Sequence, residues 1–252
     1  MDKKLLNSMF DALLHIGNKA NYWNPKMRSY IYGVTNWIHV FNLTKTVNEF
    51  ENLKNELVNL TKEGKKILFV ATKLQARDAF SKLAIETGNY YVSEKWVPGL
   101  LTNFKTIRKR INTYIKLLAD SESGALDVLP KKEKAAKLHE LEKLDRAFKG
   151  LKDMRKLPDV IFVVDGAFEK QAVKEANTLK IPAYAVLNTN GDPDLVEAFI
   201  PANTNSVKSL DFIADALKKE LAAVKPAKKS GSIKKIADKK TTAKKTTKKE
   251  EK

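Results

Sequence analysis

Val160-Ile161-Phe162-Val163-Val164 is a run of five apolar residues, four of them β-branched, between Leu157-Pro158-Asp159 and Asp165-Gly166. A strand with one wet face alternates polar and apolar residues, so a run with no polar member predicts a strand covered on both faces. That is the central strand of a parallel sheet. Downstream, the pattern predicts a helix from about Glu169 to Thr178 and a strand at Ala183 to Leu187. A turn-rich stretch from Asn188 to Asp194 follows, then a last helix near Ser206 to Val224. Upstream, Lys66 to Ala71 reads as a strand, Leu74 to Thr87 as a helix stopped by Gly88, and Tyr90 to Val92 as a short strand. Earlier still, Trp37 to Leu43 reads as a strand. Val47, Phe50, Leu53, Leu57 and Leu60 then recur at helical steps, with Thr44 as N-cap and Gly64 as stop. The crossover length suits parallel strands. Alternating elements of this kind imply an α/β fold with a mainly parallel sheet flanked by helices.

Residues 104–155 break that pattern. Phe104, Ile107, Ile111, Tyr114 and Leu118 are spaced 3-4-3-4, a coiled-coil seam. Ser121 to Gly124 supplies a turn and Pro130 suits the first turn of a second helix, with a seam of Ala135, Leu138, Leu141, Leu144, Phe148 and Leu151, ending at Gly150. The expected organisation is a discontinuous α/β body of residues 1–103 and 156–224, an inserted antiparallel coiled-coil hairpin of residues 104–155, and a tail of residues 225–252.

Of 252 residues, 47 are Lys or Arg against 30 Asp or Glu, a net charge of +17. The excess is concentrated. Residues 225–252 carry 12 Lys against Asp238, Glu250 and Glu251, a net of +9, with Lys-Lys pairs at drifting intervals that make no helix face. That segment reads as a disordered basic tail, in which Lys228, Lys229, Lys234 and Lys235 are candidate RNA contacts. Residues 104–155 carry 14 basic and 8 acidic side chains, a net of +6, which leaves the other 172 residues nearly neutral. Localised basicity points to a polyanionic partner.

Much chemistry is excluded. The absence of cysteine rules out disulfides, zinc knuckles and thiol catalysis. His15, His39 and His139 are scattered; the first two, in apolar surroundings, read as packed, and His139 as solvated. No G-x-G-x-x-G or Walker-type loop follows a strand, and no serine stands in a nucleophile turn. The N-terminus lacks a signal-peptide core, and no apolar run approaches a membrane span, so cytoplasm is the expected compartment. Neither a cofactor nor a small-molecule substrate is expected. Asp165 with Asp192 and Asp194 could gather carboxylates for Mg²⁺ beyond the strand ends, which defines the alternative: an α/β enzyme on a phosphorylated or nucleotide substrate. Ordinary turn chemistry around Gly191-Asp192-Pro193, with Asp194 capping a helix at Leu195-Val196-Glu197, accounts for the same residues. A DNA-coating protein driven by the tail would leave the hairpin unexplained.

The N-terminal segment carries a further signal. No acidic residue occurs between Ala12 and Asn48, where Lys19, Lys26, Arg28 and Lys45 are interleaved with Asn18, Asn21, Tyr22, Trp23, Asn24 and Tyr30. Such surfaces contact phosphates and exposed bases. Lys26 and Arg28 are assigned to RNA, while Trp23 serves either RNA or the packing of an N-terminal loop. At the hairpin base Lys105, Arg108, Lys109 and Arg110 place four cations within six residues, enough to spread around a helix and bridge phosphates.

Four ordered blocks carry a resemblance: His15-Ile16-Gly17 with Trp23-Asn24-Pro25-Lys26-Met27; Gly99-Leu100-Leu101-Thr102-Asn103-Phe104-Lys105-Thr106-Ile107; Leu157-Pro158-Asp159 and Val163-Val164-Asp165 through Ile181-Pro182; and Thr189-Asn190 through Ile200-Pro201. Over about residues 5 to 215 the chain resembles small-subunit ribosomal protein two of bacteria, the universal S-two family. It departs from that pattern at Asn18, where the family usually has His, at Ala20-Asn21-Tyr22 and Pro98, and at Asn188 and Gly191. The resemblance implies an α/β body with an inserted coiled coil and no catalytic residues. It also implies binding to small-subunit ribosomal RNA and neighbouring ribosomal proteins, and a part in recruiting ribosomal protein one.

Overall fold

The computed structural model describes residues 3–224. Its centre is a five-stranded, all-parallel sheet of β4 (Ile67–Val70), β5 (Tyr90–Val92), β6 (Val160–Val164), β7 (Ala183–Leu187) and β8 (Ala198–Pro201), in the order β5-β4-β6-β7-β8. All five residues of β6 are buried, as its unbroken apolar run requires. Alternation along the strands divides them between two cores. Ile67, Phe69, Val160, Phe162, Val164, Tyr184 and Val186 face one side. There they pack against α2 (Leu43–Lys62), α3 (Arg77–Glu86) and α7 (Val207–Ala223). Leu68, Val70, Ile161, Val163, Ala185 and Leu187 face the other side. That side is covered by α4 (Phe104–Glu122) and α6 (Lys170–Thr178). Each fully buried Phe or Leu here contributes roughly 2 kcal/mol of apolar burial.

The strand expected at Trp37 to Leu43 does not enter this sheet. It is β3 (Ile38–Phe41), which pairs antiparallel with β1 (Ile16–Lys19) and β2 (Ile31–Thr35) in a separate three-stranded sheet. Its residues alternate in burial, with His39 and Phe41 in and Ile38 out, whereas all four of β4 are buried. That alternation suits an antiparallel sheet with one wet face. α2 is therefore a connection between sheets. Its N-cap is Asn42, whose side chain accepts from Thr44 N at 3.1 Å, and not Thr44 itself. Met9 of α1 (Lys3–Asp11) and Leu14 just beyond it join the core beneath α2.

No helix forms at Leu195 to Glu197. Asp192, not Asp194, caps a short 3₁₀ turn at Pro193–Leu195, and the chain then runs into β8, an edge strand hidden by the preceding turn signals.

α4 and α5 (Lys131–Phe148) are joined by a 3₁₀ turn at Ala125–Val128. Ile107, Ile111, Tyr114 and Leu117 of α4 are buried, and the first three belong to the core beneath the sheet, so the base of this helix is part of the body's packing. On α5 only Phe148 is buried; Leu141 and Leu144 are partly covered, while Ala135 and Leu138 are exposed. The seam expected along α5 therefore closes at its C-terminal half alone. Gly150 does not end α5, which stops at Phe148. A Cβ there would lie 2.2 Å from the Tyr91 carbonyl oxygen, so the glycine permits close contact between the hairpin base and β5.

Candidate nucleic-acid interface

A sheet ordered β5-β4-β6-β7-β8 reverses direction between β4 and β6, and ligands of open α/β sheets bind in the crevice beyond such strand ends. Here the crevice is filled by the protein itself. Lys73, just after β4, places Nζ 2.6 Å from Asp165 Oδ2, 3.3 Å from Thr204 Oγ1 and 2.7 Å from Asn205 Oδ1. Asp165, at φ 68°, also accepts from Thr204 Oγ1 at 2.8 Å and from Phe168 N at 3.2 Å. Beside it, Thr72 donates both its N–H and its hydroxyl to the buried Glu169 carboxylate, whose pKa is raised by burial. Asp192 and Asp194 do not join Asp165. Both pair with Lys26 Nζ, at 2.9 and 2.6 Å, which holds Asp192 below the usual carboxylate range. Among the described residues no cluster of three His, Asp or Glu could hold a metal ion. The aspartates of the enzyme reading are thus spent on internal lysines.

The candidate cations fall into two groups. Lys19, Arg28, Lys105, Lys109 and Arg110 are exposed and form no ion pair among the described residues. Lys26 closes the 192–194 turn onto the N-terminal segment, and hydrogen bonds to Asp194 and Asp192 raise its pKa. Arg108 donates through Nη1 to the carbonyls of Lys152, at 3.4 Å, and Met154, at 3.0 Å, fastening α4 to the segment after α5. Met27 lies beside Arg28, and Ile107 and Ile111 flank Lys109 and Arg110; all three apolar residues belong to the core on the α4 side of the sheet. Lys228, Lys229, Lys234 and Lys235 lie outside the described residues.

Two of the three histidines are packed against aromatic rings. His39 is buried, with its ring 5.3 Å from that of Trp23. His15 stacks on Phe10 at 4.3 Å, and burial lowers its pKa. His139 is exposed beside Glu142. Trp23 is partly exposed, so the His39 contact satisfies its packing reading for one part of the ring only.

The sequence model of the family described as Ribosomal protein S2 matches residues 9–224. The chain belongs to that family. It is 40% identical over 233 residues to the small ribosomal subunit protein uS2 of Buchnera aphidicola, covering 92% of this chain and 97% of the relative. It is 42% identical over 212 residues to uS2 of Coprothermobacter proteolyticus, covering 84% and 79%. Against uS2 of Vibrio cholerae it is 39% identical over 236 residues, covering 90% and 97%. Membership makes it a structural component of the small ribosomal subunit in the bacterial cytoplasm, not an enzyme. No helix among the described residues is long and apolar enough to cross a membrane.

The S2-family block from Gly99 to Ile107 owes its shape to a residue that charge counting passed over. Glu175, buried on α6, accepts from Trp96 Nε1 at 3.1 Å and Gly99 N at 2.8 Å. It also accepts from Leu101 N at 3.1 Å and Thr102 N at 3.2 Å. Burial alone would raise its pKa, but these donors outweigh burial and hold it below the usual value. Its neighbours Ala172, Val173 and Ala176 are buried, so the sequence signal is an acid among small apolar residues on one helix.

Proposed function

We propose that this chain binds small-subunit ribosomal RNA through two cationic segments held on one side of its sheet. Lys19 and Arg28 on the N-terminal segment, with Lys105, Lys109 and Arg110 at the hairpin base, contact phosphates. Lys26 and Arg108 position those segments and stand at the rim of the same surface. The unpaired state of the five exposed cations carries this reading, because no internal carboxylate needs to be displaced before a phosphate binds. α4 and α5 form the antiparallel coiled-coil insertion, residues 104–155, on a body of residues 1–103 and 156–224. Lys228, Lys229, Lys234 and Lys235 add further phosphate contacts. The body meets neighbouring ribosomal proteins, and recruitment of ribosomal protein one follows from the same family likeness.

The test is incorporation into small subunits by a variant carrying Lys105→Ala, Lys109→Ala and Arg110→Ala, sedimented at low and high salt. Weakened incorporation with an unchanged melting temperature is expected. Normal occupancy at both salt concentrations would refute the assigned role.

A further inference from the structure

Beside the end of β7, two turns carry aromatic rings that the chain does not bury. The β2–β3 hairpin closes through Asn36 and Trp37, with Thr35 paired to Ile38, and both turn residues have positive φ, 49° and 62°. Such two-residue turns favour Asn-Gly, and a bulky residue at the second position carries a steric cost. Trp37 bears that cost while 78% exposed, so packing within this chain does not offset it. Ala20 N donates to Trp37 O at 2.8 Å, and Tyr22 N to Lys19 O at 2.8 Å. The Lys19–Tyr22 turn is therefore tied to the hairpin tip through Ala20, and its Tyr22 is 70% exposed.

A cavity of about 440 Å³ opens here, lined by Asn18, Lys19, Tyr22, Ile38, Asn190 and Asn205. Its amides are oriented from behind. Lys73 Nζ donates to Asn205 Oδ1, and Asn205 Nδ2 donates to Asn18 Oδ1 at 3.0 Å. Asn18 Nδ2 and the Asn190 carboxamide keep their donors and acceptor without a side-chain partner among the described residues. No acid occurs between Ala12 and Asn48, and Lys26 neutralises Asp192 and Asp194. An apolar protein segment would want apolar walls. Free amides, exposed aromatic faces and one ammonium match an unpaired nucleotide.

We infer that this cleft binds unpaired RNA: one base meets the amides of Asn18 and Asn190, an adjacent base stacks on Trp37, and the phosphate between them lies at Lys19. This rests on the RNA-binding reading above and extends it from phosphates to bases.

Trp37→Gly is the decisive variant, because glycine suits the turn, so the fold is kept while the ring is lost. With full-length chain and labelled single-stranded hexa-adenylate, Trp37→Gly is expected to weaken binding about tenfold. Its melting temperature should be equal or higher, and Asn190→Ala should weaken binding by a smaller factor. Ultraviolet crosslinks should map to residues 19–22 and 36–38. Unchanged oligonucleotide affinity in both variants, or crosslinks confined to the α4–α5 helical hairpin, would overturn the site. So would a crosslink from Trp37 to a neighbouring protein in reconstituted subunits, which would make the cleft a protein-docking surface. Failure of the unmodified chain to sediment with small subunits is a separate result, and it would overturn the underlying RNA reading.

Discussion

Two buried glutamates, one capping α6 and one within it, respond to protonation with opposite sign. Glu175 satisfies five donors of the 96–102 loop, the Thr102 hydroxyl among them, and its pKa is depressed in the fold. Its contribution is complete above the ordinary value of 4.5 and is lost as pH falls through the lowered one. Glu169 receives only Thr72, and burial raises its pKa, so its folded form binds the extra proton first and stability falls as pH rises through that window. Glu175→Gln turns an acceptor-only group into one that presents an NH₂ to backbone donors and should cost about 2–3 kcal/mol at pH 7. Glu169→Gln keeps an acceptor for Thr72, loses the buried charge, and should be neutral or mildly stabilising. Urea unfolding at pH 7 and pH 4 checks both: the Glu175→Gln deficit should shrink in acid, and an equal deficit at both pH values would refute the charge-based account. At Gly150, a Cβ meets the Tyr91 carbonyl oxygen at 2.2 Å and the ring at 2.6 Å, so Gly150→Ala should destabilise by about 3 kcal/mol in the same assay. A loss under about 1 kcal/mol would show that the hairpin base is free to shift.

At the scale of elements, legibility followed burial on both faces. β6 and β7 were readable to the residue, because only a doubly covered strand tolerates five consecutive apolar side chains. β3 was readable as a strand but not by sheet, since its partners β1 and β2 are short, bulged and unremarkable in sequence. β8 was missed because Asp192-Pro193-Asp194 dominates its approach. Spacing along α5 shows which residues share a face but not how far the partner helix reaches, and only Phe148 at its C-terminal end is buried. The same limit applied to the strand-end aspartates, whose partners Lys73 and Lys26 lie 92 and 166 residues away in sequence. With the crevice between β4 and β6 filled by Lys73, Thr204 and Asn205, Mg²⁺ with nucleotides should leave the melting temperature unmoved. A rise of several degrees would mean that the Lys73–Asp165 pair opens to admit a ligand.

For the whole molecule, charge distribution was legible and charge availability was not. Counting placed +6 on residues 104–155, but Arg108 spends its guanidinium on the Lys152 and Met154 carbonyls, and Lys26 answers two aspartates. Cations that bind a partner are those left over after internal pairing, and pairing between residues distant in sequence is a property of the fold. The basic segment of residues 225–252 holds +9 of the total +17, more than half of the net charge. Counterion release makes the logarithm of affinity fall with the logarithm of salt by about 0.7–0.9 for each phosphate neutralised. Deleting residues 225–252 should therefore flatten the salt dependence of binding to arbitrary RNA by several units of slope, while small-subunit incorporation at low salt persists through Arg28, Lys105, Lys109 and Arg110. Ala at those four positions in the full-length chain should do the reverse, leaving arbitrary RNA binding steep in salt and incorporation weak. Salt titrations of both variants against duplex RNA and against reconstituting subunits decide the matter. If the truncated chain lost incorporation and the alanine variant kept it, recognition would reside in the tail, and the surface shared by the N-terminal segment and the hairpin base would be a protein contact.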